Sequence, residues 1–504
     1  MSVVAEVAAN LFTVSVLISL VSGVFVGVVI GALPGLGATM GVALLLPFTF
    51  SLDIISAMVL LIGCYCGAVY GGSVTAILIG SPGTAASAAT VADGYSMSKK
   101  GLGGQALDIS LKASIFGATI SGVGLLIGAP IVGRLALEFS SPEFVLLALG
   151  GLIVVAGVEA SAFLRGLAAA ALGVLITTIG VDAISGAQRF TFGNVNMMSG
   201  IDFVPVIIGL FAFAEILRQV LNKSTSIAAD AVDRGESKVR KGRGFIRRHW
   251  VNLLRSSGIG YLLGIIPGIG PTVSSYLAYS RAKRKSDHPE EFGSGSEDGI
   301  VAAEAANNGT TGSTLIPLMT LGIPGDSVTA ILLGAFLVQG LTPGPGLVTD
   351  SPDIVYSIIV GFLLVTLVLL VVGKLFLPLF SKVAFVPKRY LMPTVLLLCV
   401  IGTYALNNSM FDVLVMAVFG VLGYLLPRYG FPVTPVLIGV VLGGMIESEF
   451  RRSLILSGGS LDIFVTRPIS LVLLIAIVAF VAWKVYRGLR FEQSARKVSA
   501  SRGK

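Results

Sequence analysis

Apolar residues fall in long unbroken runs along this chain, and polar residues collect in the short stretches between them. Runs near the length that crosses a bilayer lie at 11–30, 54–72, 107–132, 144–158, 163–181, 203–221, 251–266, 300–321, 354–379, 391–406, 411–426, 432–446 and 469–486. They lack the alternation of a barrel strand, so the pattern predicts helices. Shorter apolar pieces lie at 38–50, 84–91, 272–280 and 327–338. Each follows a Pro-Gly pair and is too short to cross alone, which predicts half of a discontinuous or re-entrant helix. The pattern as a whole predicts an all-α polytopic membrane protein with about 12 to 14 membrane segments. The run at 251–266 is the poorest of the set, being short and carrying Arg255.

The breaks come in matched pairs. Gly31-Ala32-Leu33-Pro34-Gly35-Leu36-Gly37 returns as Gly264-Ile265-Ile266-Pro267-Gly268-Ile269-Gly270. Gly72-Ser73 followed by Pro82-Gly83-Thr84 returns as Gly312-Ser313 followed by Pro324-Gly325-Asp326. Charge switches sides between the copies. The loop at 51–53 has no base, whereas its second-half counterpart carries Arg281, Lys283, Arg284 and Lys285. Lys99 and Lys100 have as counterpart the stretch 340–353, which holds Asp350 and Asp353 and no base. Under the positive-inside rule the two copies face opposite ways, so two inverted-topology repeats are expected. The division reads as 1–221 for the first membrane half and 222–250 for a basic cytoplasmic linker. The second half follows at 251–446, then a final helix and basic tail at 447–504. The N-terminus comes out external, and Arg451 and Arg452, also external, count against the scheme.

Composition agrees with the pattern. The 504 residues are 54% hydrophobic and only 12% charged, about half the charged share of a soluble protein. Gly is 63 of 504, which serves close helix packing and unwound backbone alike. The net charge of +8 concentrates in the linker (Lys223, Arg234, Lys238, Arg240, Lys241, Arg243, Arg247, Arg248) and in the tail (Arg487, Arg490, Arg496, Lys497, Arg502, Lys504). Both patches flank membrane spans without an aromatic platform, so no nucleic-acid partner is expected. Cys64, Cys66 and Cys399 all lie in apolar segments and read as buried small hydrophobes. The first ten residues hold no Lys or Arg and the apolar run after them is too long for a secretory signal.

The chemistry gathers at the breaks. A helix that restarts at membrane depth presents unpaired N–H groups and the positive end of its dipole, where carboxylates bind without a dedicated Arg. Candidate carboxylate-binding residues are therefore Gly35, Gly37, Thr39, Gly83, Thr84, Gly268, Gly270, Thr272, Gly325 and Ser327. Unwound carbonyls and side-chain oxygens suit Na⁺, which makes Ser73, Asn307, Asn308, Thr310, Thr311 and Asp326 the candidate ion-binding set. Thr84, Thr272 and Asp326 are also candidate N-caps, and the bland reading of the polar cluster at 307–313 is glue between packed helices. Glu304, one turn ahead of Asn308, is either a pair partner or an interfacial residue. Both histidines, His249 and His288, fall in polar loops, leaving no transition-metal cluster and no Ser–His pair in the membrane. No cofactor is expected beyond a coupling ion, Na⁺ or H⁺. An intramembrane hydrolase lacks its second acid, since Asp326 has no obvious partner Asp; a passive pore differs from a transporter in being unable to accumulate substrate against a gradient.

The string Gly31-Ala-Leu-Pro-Gly-Leu-Gly, then Tyr70-Gly-Gly-Ser-Val-Thr-Ala-Ile-Leu-Ile-Gly-Ser-Pro-Gly-Thr, then Asp93-Gly-Tyr, resembles the large membrane subunit of the tripartite tricarboxylate transporters, the TctA family. Gly264-Ile-Ile-Pro-Gly-Ile-Gly-Pro-Thr, Glu304-Ala-Ala-Asn-Asn and Leu321-Gly-Ile-Pro-Gly-Asp extend the resemblance through the second half. It implies a bacterial inner-membrane secondary transporter, not an enzyme, that imports small citrate-like di- or tricarboxylates by symport on an ion gradient. It also implies two partners, a small TctB-like membrane subunit and a periplasmic TctC-like solute-binding protein.

Overall fold

The computed structural model of the chain describes residues 3–158, 163–182, 185–221, 244–376, 379 and 388–502. Most of the basic linker (222–243) lies outside the described residues, as do the side chains of the tail beyond Arg487. The first half contains α1 (Val3–Leu11), α2 (Val14–Gly31), α3 (Gly37–Leu45), α4 (Ile54–Ile79), α5 (Ala88–Lys99) and α6 (Gly103–Ala136). Three more helices follow: α7 (Ser141–Ala156), α8 (Phe163–Thr177) and α9 (Phe203–Leu221). The second half contains α10 (Phe245–Gly264), α11 (Pro271–Lys285), α12 (Glu297–Thr311), α13 (Leu315–Leu321), α14 (Ser327–Val338), α15 (Pro345–Asp350) and α16 (Pro352–Leu375). It closes with α17 (Lys388–Asn407), α18 (Met410–Arg428), α19 (Val433–Leu456), α20 (Ile463–Thr466) and α21 (Pro468–Arg502). The one strand pairing among the described residues is a two-residue ribbon, β1 (Gly180–Val181) against β2 (Gln188–Arg189).

Nine described helices are long and apolar enough to cross a membrane, and four shorter apolar ones accompany them. Some boundaries differ from the sequence pattern. The span read as 54–72 continues to Ile79, because Asp53 caps its start (Oδ1 accepts from Ile55 N at 3.1 Å and Ser56 N at 3.0 Å) and no breaker occurs before Gly80. The span read as 300–321 is two helices, since Gly312–Thr314 interrupts it. The span read as 251–266 begins earlier, at Phe245, and its polar first turns keep it out of the nine.

Glycine lets backbones touch. A Cβ at Gly67 would lie 2.5 Å from the Val24 carbonyl oxygen, so α2 and α4 pack backbone to backbone. Along that seam Gly23, Gly27 and Gly31 face Leu60, Cys64 and Ala68 in turn, so α2 and α4 run in the same direction. In the second half Gly260 and Gly264 face Ala306 and Thr310, so α10 and α12 likewise run together. α4 and α6 lie beside α16 and α12 respectively; Gly361 meets Val59 and Gly373 meets Tyr70, while Ser114 and Ser121 meet Glu304 and Ser313. α6 and α16 cross in opposite directions, Gly122 meeting Leu363 and Gly373 meeting Leu111. The helix α3 must return toward the start of α4, because only a short 3-10 turn and two residues separate them.

At one end of the bundle Lys100 Nζ donates to the Ser294 carbonyl at 2.6 Å, and Asp93 Oδ1 accepts from the N–H groups of Gly293, Gly295 and Ser296 at 2.7–2.9 Å. At the other, Gln339 Nε2 donates to the Thr49 carbonyl at 2.9 Å. The two arginines that count against the topology are neutralised. Arg451 pairs with Asp182 at 2.6 Å and Glu447 at 2.7 Å, Arg189 pairs with Glu447 at 2.6 Å, and Arg452 pairs with Glu449 at 3.1 Å. α21 stays almost wholly at the surface, in contact mainly with α7.

Candidate functional site

Four helical segments restart around one cavity of about 380 Å³, within the range of small-molecule sites. Gly37, Ala38 and Thr39 belong to the start of α3. Thr84, Ala85 and Ala86 open the 3-10 turn that leads into α5. Gly270, Pro271, Thr272 and Val273 open α11, and Asp326, Ser327 and Val328 open α14. Tyr65 and Val69 of α4 line the same space, with Val155, Ala156 and Val158 at the end of α7 and Pro432, Thr434 and Pro435 at the start of α19. No Lys, Arg or His is among these residues.

The chain turns at the breaks are held by backbone. Gly83 N–H donates to the Gly72 carbonyl at 3.1 Å, and Gly268 N–H donates to the Gly325 carbonyl at 2.7 Å. A Cβ at Gly83 would collide with the Gly31 carbonyl oxygen and stand 2.8 Å from Thr75 Oγ1, so this position accepts only glycine without a shift. Gly268 has φ +85°, the left-handed region glycine enters without strain.

The four N-termini are not equivalent. Asp326 caps α14: its Oδ1 accepts from Thr329 N at 2.8 Å and from the Thr329 hydroxyl at 2.8 Å, and its own N–H donates back to Thr329 Oγ1 at 2.8 Å. Tyr65 donates its hydroxyl to Asp326 Oδ2 at 2.6 Å. Ser87 folds back on Thr84, accepting from its N–H at 3.4 Å. α3 and α11 have no side-chain cap, so the N–H groups of their first turns lack a side-chain partner; Pro271 contributes none, and α11 offers its first at Thr272. Thr39 and Ser327 hydroxyls meet at 2.9 Å, joining α3 to α14.

Of the residues expected from sequence to bind carboxylate, Gly37, Thr39, Thr84, Gly268, Gly270, Thr272 and Ser327 line the cavity. Gly35, Gly83 and Gly325 do not; Gly35 backs onto Gln219 and Glu215, and Gly325 onto Thr314. Thr272 is not an N-cap: Gly270 takes that place and Pro271 the first helical position, so Thr272 falls inside the first turn. Of the expected ion set only Asp326 lines the cavity. Ser73, Asn307, Asn308, Thr310 and Thr311 are fully buried between α4, α10 and α12. Thr310 and Thr311 give their hydroxyls to their own helix, to the Ala306 and Asn308 carbonyls at 2.8 Å.

His249 is the clearest correction. It lies on α10 ahead of the span at 251, buried, with Nδ1 at 2.9 Å from Asp298 and Nε2 at 3.2 Å from Glu297. Burial pulls its pKa down, but the hydrogen bonds to Asp298 and Glu297 and their charges outweigh that and push it up to about 9. Sequence reasoning missed it because the partners come from a helix start some fifty residues on.

The fold and cavity thus define a polytopic helical membrane protein in which four helix starts line one cavity. The chain belongs to the Tripartite tricarboxylate transporter TctA family, which it matches over residues 17–438. This is a transporter family, not an enzyme family. An uncharacterized 52.8 kDa protein from the TAR-I ttuC' 3' region of Agrobacterium vitis is 38% identical over 455 residues, covering 90% of this chain and 89% of that one. A second uncharacterized protein, from the TAR-II ttuC' 3' region of the same organism, is 41% identical over 215 residues, 43% of this chain and 89% of the relative. No solved structure gives a significant match.

Proposed function

We propose that this chain is the large membrane subunit of a binding-protein-dependent secondary transporter that imports small citrate-like di- or tricarboxylates on a gradient of Na⁺ or H⁺. The observation that carries the reading is the gathering of four helix N-termini on one cavity with no cationic side chain among the described residues of its wall. Each such end carries about half a positive charge. Two ends are already capped, and the two without caps, on α3 and α11, are the matched Pro-Gly pair. Two carboxylates of one substrate would take those two ends, with the hydroxyls of Thr39, Thr84, Thr272 and Ser327 as further donors. Asp326 would repel an anion if bare, but Tyr65 and the first turn of α14 draw on its oxygens.

Packing supports two inverted repeats. α2, α3, α4, α5 and α6 have as counterparts α10, α11, α12, α14 and α16. α2 packs on α4 as α10 packs on α12, and α4 packs on α16 as α12 packs on α6. α3 meets α14, and α11 meets the turn at Ala85 that opens α5. Counterparts run opposite ways, as the α6–α16 crossing indicates. On this reading α2–α3 and α10–α11 are re-entrant hairpins from opposite faces. The end holding Lys99, Lys100 and Arg281–Lys285 is then cytoplasmic, in the bacterial inner membrane. A TctB-like membrane subunit and a TctC-like periplasmic binding protein complete the system.

Uptake of labelled citrate and other di- and tricarboxylates into proteoliposomes containing both membrane subunits, with the binding protein added, tests this. Accumulation above the outside concentration under an imposed Na⁺ or proton gradient is expected. Equilibration without accumulation would make the chain a passive pore.

A further inference from the structure

Glu304 is a carboxylate with 0% exposure in the middle of the protein. Its oxygens accept from Ser73 Oγ at 2.6 Å, from Ser114 Oγ at 3.0 Å and from Thr90 Oγ1. The three hydroxyls come from α4, α6 and α5, all in the first half, while Glu304 comes from α12 in the second. Among the described residues no Lys, Arg or His pairs with it. Two amides next to it are only partly satisfied: Asn308 Nδ2 donates to Asn307 Oδ1, which leaves Asn307 Nδ2 and Asn308 Oδ1. The Asn307 side chain is turned toward the carboxylate, with Nδ2 outside full hydrogen-bonding geometry, and Asn308, whose Nδ2 also donates to the Glu304 carbonyl at 3.2 Å, has no protein partner for Oδ1. A lone ionised carboxylate costs several kcal/mol at such depth even when hydrogen-bonded. Such a group is kept where its charge is periodically cancelled.

We propose that Glu304, with the hydroxyls of Ser73, Thr90 and Ser114, is a binding site for one monovalent cation, Na⁺ or a proton. Two carboxylate and three hydroxyl oxygens, with the Asn308 amide oxygen near, form an all-oxygen set suited to a hard ion. The same carboxylate can instead take up a proton and donate it to one of those hydroxyls. Either way one positive charge is held between the halves. The site adjoins the cavity without being part of it. Ser73 is one turn from the cavity residue Val69 on α4, and Thr90 is one turn from the cavity residue Ala86, so occupancy acts about 6 Å along each helix from the substrate space. Cation binding would thereby fix α5 and α4 against α12 and set the shape of the cavity. That coupling role rests on the transport reading; the cation site does not.

The test uses the full chain purified in nanodiscs, with NaCl exchanged for choline chloride at constant ionic strength, at several pH values, and melting temperature as the readout. Wild type is expected to melt at a temperature that depends saturably on Na⁺, or on pH when Na⁺ is absent. Glu304→Gln is expected to lose that dependence, whereas Glu290→Gln, at a surface carboxylate outside both sites, retains it. A sodium dependence lost in the variant assigns Na⁺, and a pH dependence lost assigns the proton. Should Glu304→Gln fail to fold, Ser73→Ala and Ser114→Ala carry the test. Each should shift the half-saturating cation concentration about tenfold, the worth of one hydrogen bond to a charged group. A response equal in wild type and variants, or no response to either cation in wild type, overturns the proposal. Intact cation binding with no carboxylate uptake would count against the transport reading and leave the cation site standing.

Discussion

Removing the Asp326 carboxylate should destabilise the protein through two contacts that the cavity wall depends on. The Asp326→Ala change uncaps α14, worth about 1 kcal/mol. It also strands the Tyr65 hydroxyl, whose residue is 1% exposed and whose partner is Asp326 Oδ2 at 2.6 Å; an orphaned buried donor costs about 1–3 kcal/mol. Together these give a loss of about 2–4 kcal/mol. Tyr65→Phe alone leaves Oδ2 short of a donor and should cost about 1–3 kcal/mol. The shared bond is then measurable as a coupling. The double variant should cost less than the sum of the singles by about 1–2 kcal/mol. Denaturant unfolding of the full chain in mild-detergent micelles, followed by helix circular dichroism, gives the four corners of the cycle. Additivity within about 0.5 kcal/mol would mean the two side chains do not act on each other, and the cavity wall described above would be wrong at its most polar point.

Three further outcomes are expected. His249 has a folded pKa of about 9 against an ordinary value near 6.5, so its contribution is fully present below about pH 6.5 and is lost as pH rises through 9. The stability gap between wild type and His249→Ala should therefore shrink over that window, and a gap constant from pH 6 to 9.5 would refute the His249–Asp298–Glu297 cluster. Gly83→Ala drives a methyl into the Gly31 carbonyl and should cost about 1–3 kcal/mol or prevent folding. Gly258→Ala, with nothing within 4 Å of the new atom, should be neutral or stabilise by about 0.5–1 kcal/mol; equal effects in thermal unfolding would contradict the tight turn. Gly270→Ser gives α11 a cap of its own at an N-cap whose φ of −82° and ψ of −175° suit serine. Its Cβ would stand 3.2 Å from that of Asp326, so a small shift of the neighbour opposes the gain from the cap. Carboxylate binding should weaken, and unchanged affinity would mean that α11 takes no part in recognition.

What could be seen in the sequence was whatever is local to the chain. The four Pro-Gly breaks and the class of the fold are written in short stretches, because a breaker inside an apolar run admits few structures at membrane depth. The cap on α14 was equally visible, since Asp326 and Thr329 are three residues apart. Residues supplied by packing were not. Tyr65 sits in an ordinary apolar run, and Val155, Pro432 and Thr434 reach the cavity from helices outside the matched pairs. Glycines at a break read alike whether they face ligand or neighbour, so Gly35, Gly83 and Gly325 were grouped with Gly37 and Gly270 although they lie behind the wall. The cluster at 307–313 looked like free oxygen, but Thr310 and Thr311 satisfy their own helix, a habit of hydroxyls in apolar segments.

The central claim is that a polycarboxylate occupies the cavity between the uncapped ends of α3 and α11. Equilibrium binding of radiolabelled citrate to the purified full chain in nanodiscs measures this directly. Wild type should bind saturably, with competition from di- and tricarboxylates and little from a monocarboxylate. Ser327→Leu, which fills the cavity, should abolish binding. Citrate binding that survives Ser327→Leu unchanged, or that a monocarboxylate displaces as well as a dicarboxylate does, would contradict it.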